Sequence, residues 1–432
     1  MVSHRMAVAS QVRRSSRRRA QAPRRADVCV VGGAGHVGLP FALVLASKGL
    51  RVVIRDLDTA ALELIRRGTM PFMERGAEPL LKEVLAKELL SIASDGAQLE
   101  GVPTFIITVG TPIDEFLNPK LKELIRAFEP LLSALTEETT VILRSTVYPG
   151  TTEWLDRYLR ANGKRPKIAF CPERVVEGFA IEESQRLPQI VSGTTPEAEE
   201  AAAAFFLHIA PEVVRLRPTE AEFAKLFCNA YRYIQFAATN QFYMMANSAG
   251  LDYYRVLEGM QHHYPRMRDL PRAGLAAGPC LFKDTMQLSA FYNNGFSLGS
   301  TAMLVNEGLP LYLAEQLAQT VDLPHATVGL LGMAFKADSD DPRASLSYKL
   351  KKVLRLRAKR VLATDPLVKA DPDLLPVEQV IAQSDVLILC VPHRAYQGLD
   401  TKGKPVLDIW NFFGQGSRIR MPAARPPAPS AD

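Results

Sequence analysis

The sequence predicts an α/β protein in which two parallel-sheet domains of βαβ type are joined by a long central helix and a helical middle domain. Three observations predict it. A strand, glycine loop, helix, strand and acid follow one another from Asp27 to Asp56. A breaker-poor stretch of helical periodicity runs from Glu220 to about Ser248. Strand and helix alternation then resumes from Ala326. The implied divisions are a basic tail over 1–26, a first sheet domain over 27–215, a helical domain over 216–322, a second sheet domain over 323–420 and a second tail over 421–432.

The first unit is the most specific. Asp27 to Val31 is an apolar run of strand type, and it enters Gly33-Ala34-Gly35-His36-Val37-Gly38, a G-x-G-x-x-G. In such a loop Gly33 allows the tight turn, Gly35 lets backbone approach a pyrophosphate, and Gly38 lets the helix pack on the strand. The helix Leu39 to Ser47 would aim free N–H groups and its positive dipole end at the phosphates, with His36 and Val37 beside them. The next strand, Arg51 to Arg55, ends at Asp56, 18 residues after Gly38. A carboxylate there binds ribose hydroxyls and repels a 2′-phosphate, so the expected cofactor is NAD.

The remaining elements follow the same logic. Thr104 to Val109 reads as a strand ending in Gly110-Thr111, Leu121 to Leu135 as a helix, Val141 to Arg144 as a strand ending near Thr146, and Lys167 to Cys171 as a strand leading to Glu173. Strand-end residues line the crevice of an open sheet, which makes Gly110, Thr111, Thr146 and Glu173 site candidates by position. Residues 301 to 320 read as a helix. The second sheet is expected from strands near 328–332, 360–363, 385–389 and 405–408. Its first loop, Met333-Ala334-Phe335-Lys336, lacks the glycine fingerprint, so this sheet is expected to hold something other than a complete dinucleotide.

Composition narrows the class. The net charge of +6 comes from the tail: residues 1–26 hold eight arginines and no acid, and without them the body carries about −2. A near-neutral body argues against a nucleic-acid partner. No apolar run approaches the ~18 residues that a membrane span needs. Both tails are expected to be disordered. Five scattered cysteines form no C-x-x-C, so neither a metal site nor a disulfide framework is indicated, and a reducing cytoplasm is expected. Cys171, Cys228 and Cys390 flank apolar runs and are expected in the core.

Cys280 is the exception, because it stands beside Lys283 and Asp284. A dinucleotide fold implies hydride transfer, and a thiol in that setting implies that the oxidised carbon can be trapped covalently. Together they suggest an alcohol taken past the aldehyde to the acid. Asp284 shares a face with Cys280 if a helix begins there, and the helix N-terminus is then expected to lower the thiol pKa. Lys225 and Asn229 share a face of the long helix and can hold an oxyanion.

The ordered pieces VGGAGHVGLP, VGTP, STVYPGTT, CPERVVEG, EFAKLFCNA, GPCLFKD, LGMAFKADSDDPR and DIWN make the chain resemble the UDP-glucose/GDP-mannose dehydrogenase family from about Asp27 to Gly414. The resemblance implies NAD-dependent, four-electron oxidation at C6 of a UDP-hexose or UDP-N-acetylhexosamine to the uronate, for polysaccharide or cell-envelope synthesis. It implies that Cys280 forms a thiohemiacetal and then a thioester, that Lys225 and Asn229 stabilise the oxyanion, and that Glu173, Asp284 and Thr146 serve thioester hydrolysis. Arg343 and Lys283 would meet the cofactor. Glu177, Lys225, Gly278, Phe335, Lys336, Phe291 and Tyr292 would line the sugar nucleotide in the crevice facing the UDP-binding second sheet. Arg266 would reach across a homodimer built on the middle helix. His36 stands where the family often has Tyr. Cys-Pro-Glu-Arg is similar to the N-acetylhexosamine members, whereas Lys283 before Asp284 is similar to the UDP-glucose members.

Two other readings stay open at this level. A two-electron NAD-dependent hydroxyacid dehydrogenase would need Lys225 and Asn229 but not the thiol. A non-catalytic nucleotide-sugar or NAD sensor would bind both ligands without turnover.

Overall fold

The computed structural model describes residues 25–93, 99–111, 114, 120–275, 278–417 and 419. The tails expected over 1–26 and 421–432 lie outside the described residues, apart from Arg25 and Ala26. The first sheet has eight strands: β1 (Val28–Val31), β2 (Val52–Arg55), β3 (Leu90–Ile92), β4 (Thr104–Ile107), β5 (Thr140–Leu143), β6 (Lys167–Phe170), β7 (Gln189–Gly193) and β8 (Val213–Arg215). Their order is β3-β2-β1-β4-β5-β6-β7-β8. The six strands from β3 to β6 are mutually parallel, which is the doubly wound arrangement, and the order reverses between β1 and β4.

Alternation along these strands builds two cores. Val28, Val30, Val52, Ile54 and Ile106 face one layer of helices, while Cys29, Val31, Val53, Phe105 and Ile107 face the other. Sheets buried on both faces need apolar residues at every position, and β1 is fully buried from end to end. One junction departs from the expected parallel sheet, because β7 runs antiparallel to β6. The expected helix over 121–135 is also cut. It is α-helical from Leu121 to Phe128 and 3-10 from Glu129 to Ala134, since Pro130 has no N–H to continue the ladder.

The central helix, Pro218–Ser248, is 31 residues long, or about 46 Å at the usual rise. Pro218 opens it, where a missing N–H costs nothing. The Glu220 carboxylate accepts from the Arg217 backbone N–H at 2.9 Å and so fixes its start. Beside it pack the helices Leu281–Phe291 and Ser297–Ala318. Cys228, expected in the core, is exposed on the central helix between the outward-facing Phe227 and Tyr231. Cys171 and Cys390 are buried, and burial pushes both thiols up to about 12.

The second sheet is β9 (Thr327–Leu331), β10 (Arg360–Thr364), β11 (Val386–Leu389) and β12 (Val406–Asp408), ordered β10-β9-β11-β12 and wholly parallel. No helix of the described residues is long and apolar enough to cross a membrane.

Three glycines of the first loop divide by packing. A Cβ on Gly33 would lie 2.6 Å from the Ile54 Cβ, and one on Gly38 would lie 2.7 Å from the Thr108 Oγ1 and against the Gly32 carbonyl. On Gly35 it would meet nothing nearer than 3.4 Å. Gly38→Ala is therefore expected to destabilise the first domain by about 1–3 kcal/mol through overpacking, read as a lower urea midpoint. Gly35→Ala is expected to leave that midpoint unchanged while weakening NAD binding.

Candidate active site

The cofactor-binding elements meet where the strand order reverses. The Thr108 Oγ1 after β4 donates to the Val31 carbonyl at 2.8 Å, which sets Gly110 and Thr111 beside the glycine loop. The Asp56 Oδ2 accepts from the Ala34 N–H at 2.9 Å and its Oδ1 from the Leu57 N–H at 2.7 Å, so this carboxylate braces the loop from below. Val37 caps the helix Gly38–Ser47. A dinucleotide fits this surface. Gly35 and Gly110 leave room for backbone approach, the helix N-terminus supplies donors, and Asp56 stands at the ribose position.

The thiol site is built from two helices. Cys280 is the N-cap of Leu281–Phe291, and its carbonyl accepts the Asp284 N–H at 2.9 Å. Asp284 is fully buried, and the Asn229 Nδ2 of the central helix donates to its Oδ2 at 2.6 Å. Lys283 Nζ lies 3.4 Å from the Asp284 Oδ1 and 3.3 Å from the Thr111 Oγ1, and the Thr111 hydroxyl donates to the Thr146 carbonyl. Lys225, one turn before Asn229, acts on the thiol through its charge. The structure thus brings together Cys280, Asp284, Asn229, Lys225, Lys283, Thr111 and Thr146.

The thiol pKa corrects the expectation drawn from the helix N-terminus. Loss of solvent around the sulfur pushes the Cys280 pKa up, and the Asp284 charge adds to this, while Lys283 and Lys225 pull it down. Glu177 adds a smaller push upward, and the raising influences win in the protein alone.

Glu173 and Glu177 have different surroundings although they share one motif. The Glu173 Oε2 pairs with the buried Arg144, whose guanidinium lies 4.1 Å from the Phe41 ring centroid and also donates to the Gln189 side chain at 3.0 Å. Its Oε1 accepts from the N–H groups of Arg174 and Val175. Both oxygens of Glu173 are occupied. Glu177 instead lies close enough to Cys280 for its charge to raise the thiol pKa. Burial, then the Asp341 charge, pushes the Glu177 carboxyl up to about 7. His36 Nδ1 is 3.5 Å from the Glu177 Oε1, a distance that would suit an ion pair. Burial and then Arg343 hold His36 down to about 4, so a neutral imidazole, stacked on Phe72 at 4.0 Å, faces the carboxyl.

The second sheet closes the crevice. The Lys336 Nζ donates to the Glu177 carbonyl, and Gly178 and Ala180 donate to the Glu74 carboxylate at 2.8 Å each. The Phe335 ring lies against the buried Gly278, where a Cβ would come 2.8 Å from its Cδ2. Arg343, expected at the cofactor, grips Asp341 with its Nε and Nη2 and contributes charge near Glu177 and Cys280. His36, Glu177 and Asp341 have ligand-type atoms within 4.8 Å of one another. The Arg343 guanidinium already occupies Asp341, and Lys336 stands nearby, which suits an anionic or hydroxylated ligand better than a cation. Phe291 packs on Tyr148 and Phe223, Tyr292 is exposed, and Arg266 is exposed beside Tyr264. None of the three makes a hydrogen bond or ion pair to Cys280, Asp284, Asn229 or Lys225 among the described residues.

Sequence reasoning missed Arg144, Glu74, Phe72 and Glu222. The fully buried Glu222 accepts from the N–H groups of Gly150 and Thr152, and so ties the face of the central helix that carries Lys225 and Asn229 to the Thr146 loop. Its place three residues before Lys225 was the available signal. Glu74 and Phe72 act across long sequence separations and carried none.

Comparison with known proteins agrees with this geometry. Three family models match: the NAD binding domain of the UDP-glucose/GDP-mannose dehydrogenase family over residues 26–209, its central domain over 219–307 and its UDP binding domain over 329–415. UDP-N-acetyl-D-mannosamine dehydrogenase of Pyrococcus horikoshii is 30% identical over 90% of this chain and 93% of its own. A solved structure of the UDP-D-ManNAc dehydrogenase from Pyrococcus horikoshii aligns with a TM-score of 0.83 at 28% identity, covering 89% of this chain and 95% of its own. A UDP-glucose dehydrogenase from Pyrobaculum islandicum aligns at 0.80 and 28% identity, covering 90% and 95%.

The charges around the sulfur predict its reactivity. Asp284→Asn removes an anion that raises the thiol pKa, so iodoacetamide should modify Cys280 several-fold faster at pH 8. Lys225→Met removes a cation and should slow the same reaction. Equal rates in all three proteins would contradict this electrostatic account.

Proposed function

The chain belongs to the UDP-glucose/GDP-mannose dehydrogenase family and is an NAD-dependent nucleotide-sugar dehydrogenase, and on that premise we propose that it oxidises C6 of a UDP-N-acetylhexosamine to the uronate through a covalent Cys280 intermediate. The observation that carries this reading is the thiol at a helix N-cap position, one turn before a buried Asp284 that is bonded to Asn229, with Lys225 one helical turn away. The N-acetylated substrate is favoured over UDP-glucose by the Cys-Pro-Glu-Arg motif and by the name of the Pyrococcus horikoshii relative.

In the proposed sequence NAD, when bound, would supply the hydride acceptor for the two oxidations of C6, with the hydroxyl proton of the first passing to solvent. Gly33, Gly35, Gly38, His36, Val37, Asp56, Gly110 and Thr111 would hold it, with Lys283 and Arg343 beside them. The Cys280 thiol loses its proton to solvent and adds as the thiolate to the C6 aldehyde, forming a C–S bond as the C=O π pair moves onto oxygen. The Lys225 ammonium and Asn229 amide hold the resulting oxyanion. After the second oxidation Cys280 carries the acyl group as a thioester. Water, positioned by Thr146 and Asp284, gives a proton to Glu177 and attacks C6. The C–S bond breaks and the sulfur is released. A carboxyl at about 7 suits a general base near neutrality, whereas Glu173, occupied by Arg144 and two backbone N–H groups, braces the loop. Lys336, Phe335 and Gly278 line the sugar-nucleotide side.

The same reading makes the protein a cytoplasmic enzyme of polysaccharide or cell-envelope synthesis. We further propose a homodimer. Phe227, Tyr231 and Met245 on the central helix and Leu298 and Leu304 beside it are all more than half exposed, an apolar surface suited to a second copy. Arg266 and Tyr292 would then find their partners across that interface.

Two NADH per nucleotide sugar are expected, with UDP-N-acetylmannosamine preferred among UDP-hexoses and their N-acetyl forms. Cys280→Ala should reduce acid formation about a thousandfold. One NADH per sugar, with Cys280→Ala fully active, would instead support a two-electron dehydrogenase. A second prediction concerns acidity. Since Glu177 must be ionised to accept a proton, kcat should rise with pH through about 7, and that limb should vanish in Glu177→Gln.

A further inference from the structure

Each sheet ends its second strand on an aspartate that braces the loop following its first strand. Asp56 does so after β2, as described above. Asp365 does so after β10: its Oδ2 accepts from the N–H groups of Met333 at 2.6 Å and Ala334 at 3.0 Å, and its Oδ1 from those of Leu367 at 2.8 Å and Val368 at 3.0 Å. The two positions differ in what lies beyond them. Asp56 stands half-buried at the crevice edge, whereas the side chains of Asp365 and His393 are fully buried against each other, with Nε2 3.0 Å from the Asp365 Oδ2. In the second sheet a histidine stands against the aspartate that follows the second strand, the position whose carboxylate meets a ribose in a dinucleotide fold.

The other ring nitrogen has a defined partner as well. His393 Nδ1 lies 3.0 Å from the Asp338 backbone N. A backbone N–H can only donate, so Nδ1 is unprotonated and the ring proton sits on Nε2, donated to Asp365. The next residue grips the same target: the Arg394 N–H donates to the Asp338 Oδ1 at 2.9 Å and its Nε to the Oδ2 at 2.6 Å. Asp338 has φ of 55°, a left-handed conformation that non-glycine residues keep only when held. What is held is the loop that sets Phe335 against Gly278, two residues before Cys280, and sends Lys336 to the Glu177 carbonyl.

We propose that His393 is a positioning residue for nucleotide-sugar binding: its Nδ1 keeps Asp338 in the left-handed form and so fixes Phe335 and Lys336 at the crevice. The proposal rests on the reading of that crevice as the nucleotide-sugar site. It does not require His393 to touch substrate, and nothing assigns the residue through the glycine fingerprint or the thiol.

Two substitutions separate the two ring nitrogens in the full chain. His393→Gln retains an N–H for Asp365 but offers no acceptor where Nδ1 stood. His393→Asn retains that acceptor. In His393→Gln the KM for UDP-N-acetylmannosamine should rise about tenfold while kcat and the KM for NAD stay within about twofold, and amide exchange over Phe335 to Asp338 should accelerate. His393→Asn should remain close to wild type on every measure. An unchanged sugar KM and unchanged exchange in His393→Gln would overturn the proposal. So would a joint rise of both KM values in the two variants, the mark of general loosening. If the wild-type protein oxidised no nucleotide sugar, the functional reading would fail separately, and the exchange comparison would still decide whether His393 holds the loop.

Discussion

The buried hydrogen bond from Asn229 to Asp284 is the contact on which the site depends. It joins the long central helix to the short helix that Cys280 caps, and so fixes the distance between the oxyanion-holding groups and the thiol. A fully buried carboxylate is tolerated only when it is bonded and paired. Asn229 supplies the bond and Lys283 the charge. Since the same face of the central helix is tied to the Thr146 loop through Glu222, one rigid element sets both halves of the thiol site.

A second layer of constraint crosses between the sheets. The loop after β6 carries Glu177, and it is held from the first domain by Glu74 and from the second by Lys336. Met73 also donates to the Asp340 carboxylate at 3.0 Å, which ties the same strap to the second sheet. Glu177, whose charge reaches the thiol, therefore sits where both domains must be in register. This accounts for its raised pKa: closure removes water from a carboxyl that already feels Asp341.

Much of the architecture was legible because it is local. Buried parallel strands read as short apolar runs, and glycines at fixed spacing mark the turn before the first helix. The long helix announces itself by periodicity, with Pro218 and Glu220 at its start. The reversed direction of β7 was not legible, because a period of two fixes which residues face the core but not which way a strand runs. Motif spacing grouped Glu173 with Glu177, yet only packing reveals that Arg144 claims one and leaves the other facing the sulfur. The thiol pKa failed for a related reason. A helix N-terminus is a local feature, whereas desolvation and the neighbouring carboxylate depend on how the second helix is buried.

The raised thiol pKa also has a mechanistic side. The thiolate is the reactive form, so a raised pKa slows oxidation and attack by stray electrophiles at a sulfur whose residue is otherwise exposed. Lys225 and Lys283 already pull the other way, so a cationic nicotinamide ring brought near the sulfur would act in the same direction as the two lysines. Nucleophile activation would then be coupled to cofactor binding without any movement of the helix. Asp284 is central to this coupling: it raises the resting thiol pKa, and its bond to Asn229 keeps it from swinging away when the charge beside it changes.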